Sequence, residues 1–142
     1  MRHYLVTLAL ALAIAFPAAG DAMAARLVAD VDLSSQTMTV KKDGRVLYRW
    51  PVSTARPGKI TPIGTFRPQR MHRKWRSTIY GSNMPYSIFF RGPYAIHGTS
   101  AVSRLGSPAS AGCVRLHTSN AKRLFDLTRQ VGPGNMRVRI RH

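Results

Sequence analysis

Tyr94-Ala95-Ile96-His97-Gly98-Thr99, then a polar loop rich in Gly and Ser, then Ser110-Ala111-Gly112-Cys113-Val114-Arg115-Leu116: on this stretch the rest of the chain depends. Short apolar runs flanking a loop read as two strands, the first bringing a histidine to its C-terminal end. The second begins at the only cysteine in the chain, sixteen positions after that histidine. In an extended segment Cys113 and Arg115 share one face and Val114 and Leu116 the other, so a thiol and a guanidinium become neighbours. Cys and His together are the minimal equipment for thiolate catalysis, because the imidazole takes the proton that the sulfur must lose.

Attack on a carbonyl also needs backbone N–H donors for the developing oxyanion and space around the nucleophile. Gly112 permits a close backbone approach, and the amides of Gly112 and Cys113 are placed to converge on one oxygen. Arg115 would lower the thiol pKa or hold a substrate carboxylate; an ordinary surface arginine is the plainer alternative. A structural, buried cysteine is the plainer alternative for Cys113. Metal binding is the rival chemistry, since Cys113, His97, His117 and His72 are all ligand types. Their spacings match no standard zinc pattern, so no metal site is expected.

Residues 1–24 read as a signal peptide: Arg2 and His3 lead an apolar run over residues 4–16, and Ala22 and Ala24 suit a signal peptidase. That run is shorter than the roughly 20 residues a bilayer-spanning helix needs, so cleavage after Ala24 and an exported protein without a transmembrane anchor are expected, in the periplasm or cell wall. Export makes an unpaired cysteine worth explaining, since secreted proteins ordinarily pair theirs. The 22 Lys and Arg stand against five acidic residues, all Asp, a formal net charge of +17. Such a field draws polyanions. For an exported chain, anionic envelope polymers are a better expectation than any specific nucleic acid, with a merely self-repelling surface as the alternative.

Residues 25–142 suit a single domain. It opens with Leu27, Ala29, Val31 and Leu33 alternating with Asp30 and Asp32, a half-buried strand. A second strand holds Met38 and Val40; Asp43-Gly44 is a hairpin turn, and the return strand sets Val46, Tyr48, Trp50 and Val52 on one face. Residues 53–62 form an exposed loop before an extended run over 64–66. The segment Gln69-Arg70-Met71-His72-Arg73-Lys74-Trp75-Arg76 suits a polyanion or a sugar ring, but reads more simply as a solvated face with one anchoring aromatic. Strands over 87–91 and 94–97 follow. Thr118 or Ser119 caps the one convincing helix, with Ala121, Leu124, Phe125, Thr128 and Val131 at helical spacing and Gly132-Pro133-Gly134 as its stop. Met136, Val138 and Ile140 alternate with arginines in a last strand. The class is mostly β with one packed helix.

With these residues in order, the sequence resembles the L,D-transpeptidase catalytic domain, the YkuD-type family. The resemblance rests on His97-Gly98-Thr99 and Ser110-x-Gly112-Cys113-Val114-Arg115, and upstream on Thr61-Pro62-Ile63-Gly64-Thr65-Phe66 and on Met84-Pro85-Tyr86 with Phe89-Phe90. It covers roughly residues 27–140. What it implies is a β-sandwich or β-barrel-like domain with a packed C-terminal helix, in which Cys113 is acylated, His97 moves the proton and the Gly98 carbonyl orients the imidazole. The implied donor is a peptidoglycan tetrapeptide stem, attacked at its third residue with loss of the terminal D-alanine. An amine of a second stem then resolves the thioester into a 3-3 cross-link. Arg115, Tyr86 and Ser110 would border the substrate, Tyr86 being a half-buried aromatic if the resemblance fails there.

Two departures from the family pattern stand out. Members commonly carry His where this chain has Ala111, and 142 residues leave no room for separate wall-binding modules, a task the cationic surface is expected to share. Two other functions stay open on sequence grounds. One is a cysteine carboxypeptidase or amidase on the same scaffold, with water resolving the thioester; the other is a non-catalytic cationic module binding cell wall or nucleic acid.

Overall fold

The computed structural model describes residues 25–142, and the expected signal peptide, residues 1–24, lies outside them. Alternation in the first strand does what it predicts: Leu27, Ala29 and Val31 of β1 (Leu27–Asp32) are completely buried. β1 sits centrally, antiparallel to β2 (Thr37–Lys42) and parallel to β9 (Met136–Arg141). β3 (Arg45–Pro51) and β4 (Gly64–Phe66) complete a five-stranded sheet in the order β3-β2-β1-β9-β4. On its outer face Asp30 lies opposite Arg139, and Arg141 Nε donates to Asp30 Oδ1 at 3.0 Å. The guanidinium covers the carboxylate, so an outward-facing Asp is only 6% exposed.

The return strand departs from the expected pattern. Tyr48 and Trp50 face inward, but Val46 is 46% exposed. A bulge explains it: Val40 pairs with Tyr48 while Lys41 pairs with Val46, leaving Leu47 as an extra residue that turns Val46 to the outer side with Lys41.

A second sheet has the order β5-β6-β7-β8, built from β5 (Arg70–His72), β6 (Ser87–Arg91), β7 (Tyr94–Thr99) and β8 (Val114–His117). β7 runs two residues past His97, and β8 starts just after Cys113. One face of this sheet, with Ile88, Phe90, Ile96, Val114 and Leu116, packs with the inner face of the first sheet and with α1 (Thr118–Val131) in a single hydrophobic core. The helix buries Ala121, Leu124, Phe125, Thr128 and Val131, the set its periodicity predicts. Its cap is neither Thr118 nor Ser119 but His117, whose Nδ1 accepts the Ser119 N–H at 3.2 Å. Gly132, at φ 88°, ends the helix as expected.

Both sheets contain a parallel pair, β1–β9 and β7–β8. The whole is a mostly β domain of two mixed sheets and one C-terminal helix. Leu116 is fully buried where the second sheet meets the core. Leu116→Ala should lower unfolding free energy by about 2–5 kcal/mol, read as a shift of the urea midpoint at unchanged slope.

Candidate active site

The two strands of the deciding stretch pair in parallel, Ile96 with Val114 and His97 with Arg115. Extended back one residue, that register sets Cys113 beside Ala95. Cys113, His97 and Arg115 therefore share the face of the sheet opposite the core. Strand spacing and a two-residue rise put the Cα atoms of Cys113 and His97 roughly 8 Å apart, a gap two inward-leaning side chains can close.

A parallel pair needs a crossover, and here it is a loop tied along its length to the segment following β3. Ser53 and Arg115 exchange backbone hydrogen bonds at 3.1 and 2.8 Å, and Ser53 Oγ donates to Arg104 O at 2.6 Å. Further along, the Ala109 and Ser110 amides both donate to Thr54 O at 2.9 Å, and the Arg56 amide donates to Ser110 O at 2.9 Å. Thr61 supplies the last tie, its Oγ1 donating to Gly112 O at 2.8 Å and accepting the Ala55 N–H at 3.0 Å. This gives the threonine of the Thr61-Pro62-Ile63-Gly64-Thr65-Phe66 segment a definite task.

Gly112 has φ 140°, and a Cβ there would lie 2.5 Å from Tyr94 Cε1 and 2.8 Å from Ile60 O. Only glycine fits. Its amide is not free, however: it donates to Ser110 Oγ at 3.0 Å, while that hydroxyl donates to Cys113 O at 2.6 Å. Thus the expected oxyanion pair of Gly112 and Cys113 is not preformed in this structure, because Ser110 holds the first donor. Ser110 acts first as a brace for the cysteine turn.

His97 Nδ1 lies 2.7 Å from Gly98 O. A carbonyl only accepts, so Nδ1 carries the proton and Nε2 is left as the acceptor. Gly98 is itself fixed, its amide donating to Pro85 O at 2.8 Å, and a Cβ on it would lie 2.9 Å from Thr118 Cα. Burial pushes His97 down to about 4, with the Gly98 contact opposing and Arg115 adding to the shift. Burial also raises the Cys113 thiol above its ordinary range, against a hydrogen bond from the Ala95 backbone and the field of Arg115. At neutral pH both groups are therefore uncharged at rest.

These residues border a cleft of about 470 Å³. Its floor is a small apolar cluster of Met84, Phe89 and Ala95, against which Trp75 and Cys113 pack. Arg115, Ser110, Ala111, Tyr94 and Arg70 line it, with Lys59 and Ile60 from one loop and Ile79 and Tyr80 from another. Tyr86 is not on it. At φ 54° its side chain turns to the other side of the sheet and meets Phe125 edge-on at 5.8 Å, so it is a half-buried aromatic and not a cleft residue. His72 packs tilted against Trp75 at 4.6 Å, and His117 caps the helix. Among the described residues no three His, Cys, Asp or Glu side chains cluster to hold a metal ion.

Sequence reasoning missed Arg70, Trp75 and Phe89 as wall residues. The run at residues 69–76 is not merely a solvated face: Arg70 and Trp75 line the cleft. Alternation in β6, with Phe90 in the core and Phe89 opposite, held the available signal.

The sequence matches the YkuD family, the L,D-transpeptidase catalytic domain, over residues 26–140, and the chain belongs to that family. It is 25% identical over 114 residues to the Bacillus subtilis (strain 168) protein YkuD, covering 78% of this chain and 63% of that one. Its fold is similar to that of an L,D-transpeptidase from Mycobacterium smegmatis, with a TM-score of 0.75 and 22% identity over 83% of this chain and 59% of that one. It is similar also to the L,D-transpeptidase LdtMt1 solved in complex with imipenem, with a TM-score of 0.73 and 25% identity over 82% and 59% of the two chains. The chain spans about three fifths of the length of these relatives.

The depressed histidine makes a stability prediction. A folded value of about 4 against 6.5 means that the unfolded chain binds the extra proton first, so stability falls as pH drops through that window. The wild type should lose roughly 3 kcal/mol more than His97→Gln between pH 7 and pH 4. Urea midpoints at the two pH values measure this, and equal losses would refute a buried neutral imidazole.

Proposed function

We propose that the protein is an L,D-transpeptidase that acylates Cys113 with a peptidoglycan tetrapeptide stem and passes the acyl group to an amine. One observation carries the reading: parallel pairing puts Cys113, His97 and Arg115 on one face of one cleft, with the imidazole held in the tautomer whose free nitrogen accepts a proton. Family membership supports the choice of substrate class.

With both groups uncharged at rest, the thiol proton moves to His97 Nε2 as sulfur attacks the carbonyl of the third stem residue. The C–S bond forms, and the C–N bond to the terminal D-alanine then breaks, with the imidazolium returning its proton to the leaving amine. An acceptor amine attacks the thioester and loses its proton to His97; the new C–N bond forms as the C–S bond breaks, and the imidazolium returns that proton to the leaving Cys113 sulfur, giving a 3-3 cross-link when the amine belongs to a second stem. Gly98 O stabilises the imidazolium while it exists, the part an Asp plays in other triads. The Cys113 amide serves the oxyanion directly; the Gly112 amide joins it when Ser110 Oγ turns away. The protein needs no metal or organic cofactor for these steps.

Intact mass after exposure to a carbapenem should show one covalent adduct on the wild type and none on Cys113→Ala. Absence of an adduct on the folded wild type would point to the non-catalytic module. With donor and acceptor muropeptides the expected product is a cross-linked dimer; tripeptide alone would assign the cysteine hydrolase instead.

The surface charge supports recruitment to an anionic envelope polymer. Asp30, Asp32, Asp43 and Asp126 all pair with cations on the first sheet, its β1–β2 margin or the helix side, leaving Lys59, Arg70 and Arg115 at the cleft without an acid among the described residues. No helix among the described residues is long and apolar enough to cross a membrane. Co-sedimentation with isolated sacculi should fall steeply between about 50 and 500 mM salt. Binding that ignores salt would rule out the electrostatic form of recruitment.

A further inference from the structure

Four residues form one row across the second sheet. Arg70 pairs with Phe89, Phe89 pairs with Ala95, and Ala95 lies beside Cys113 in the extended β7–β8 register. The row starts at a guanidinium and ends at the nucleophile. Arg70 Cζ stands 3.9 Å from the centroid of the Phe89 ring and 4.9 Å from that of Trp75. Phe89 is buried and packs in the cluster that touches Cys113, while Arg70 is exposed and lines the cleft.

An arginine in this position is unusual in its partners. The Phe89 and Trp75 rings stand at 77° to each other, so the guanidinium rests in the corner between them, and a guanidinium held over an aromatic ring keeps N–H edges for a bidentate acceptor. Among the described residues no carboxylate pairs with it, although each of the four Asp residues pairs with some other cation. Two strand spacings separate Phe89 from Cys113, so the guanidinium lies roughly 10 Å from the nucleophile. That is two to three residues of extended peptide.

We infer that Arg70 is a specificity-determining residue that binds a carboxylate of the donor peptide, two to three residues' length or less from the carbonyl that Cys113 attacks. The inference rests on the donor class proposed above. Arg115 differs from it in place and task, since it sits opposite His97 and its field acts on His97 and Cys113 themselves. Three carboxylates of a stem tetrapeptide fall within reach: the side-chain acid of the third residue, the terminal D-alanine acid and the free acid of the second residue.

The test is titration of a synthetic donor tetrapeptide, and of three analogues each with one of those acids converted to an amide, into Cys113→Ala protein. Arg70 is kept, or replaced in Arg70→Gln and Arg70→Lys. Arg70→Gln should weaken binding of the intact donor about ten- to a hundredfold. Exactly one analogue should bind the Arg70 protein as weakly and be indifferent to the substitution, which identifies the acid. Arg70→Lys, which keeps the charge but not the fork, should fall between. Iodoacetamide alkylation of Cys113 in otherwise wild-type protein should proceed at the same rate with Arg70→Gln. Equal weakening of all four peptides would show a structural role and overturn the inference, as would no weakening. Arg70-dependent binding without turnover by the wild type would sink the proposed activity alone, and turnover without Arg70 dependence would sink this inference alone.

Discussion

The parallel pairing of β7 with β8 is the constraint on which the site depends. It aligns a histidine and a cysteine that the sequence separates by sixteen positions, and it sets both on the face turned away from the core. Parallel strands need a long connection, and the connection here is irregular loop, whose backbone groups must find partners outside the ladder. The segment following β3 provides them, through Ser53, Thr54 and Arg56, and Thr61 adds a tie to the turn that presents the thiol. The turn that carries Cys113 is held by a strand's worth of hydrogen bonds from a distant part of the chain. Precision of this kind places a reacting atom without relying on the stiffness of the loop itself.

Electrostatically the site is arranged for neutral partners at rest. Burial keeps the imidazole uncharged far below its ordinary pKa and keeps the thiol protonated, while Arg115 acts against a cation on His97 and in favour of an anion on Cys113. In the proposed mechanism the proton transfer therefore accompanies the attack on the carbonyl rather than preceding it. A thiol that is not a standing thiolate is also less open to oxidation and disulfide exchange, which follow thiolate character.

The resemblance and the residue-level reading disagreed at Tyr86, and the plainer of the two describes the structure. A positive φ, which no sequence pattern around a Pro-Tyr pair announces, rotates that side chain towards the helix. The cationic run at residues 69–76 erred in the opposite direction, since a solvated face was expected and part of a cleft wall was found. Runs of charge carry no period that shows which cation is stacked on a ring from another strand.

Local pattern was enough wherever the determining physics is local. Period-2 alternation named the buried face of β1 and β9, helical spacing named the five buried residues of α1, and Gly132 named its end. The Cys and His pair and the glycine beside it were legible because their residue types are chemically rare and sterically specific. Tertiary structure alone decided the bulge that exposes Val46, the histidine cap on α1, the engagement of the Gly112 amide by Ser110, and the stacking of Arg70 on Phe89 and Trp75. The bulge and the Arg70 stacking depend on how separate strands meet, while the cap and the Gly112 engagement depend on backbone turns that the fold sets; sequence carries a side chain's own preferences but not the neighbour against which they are resolved.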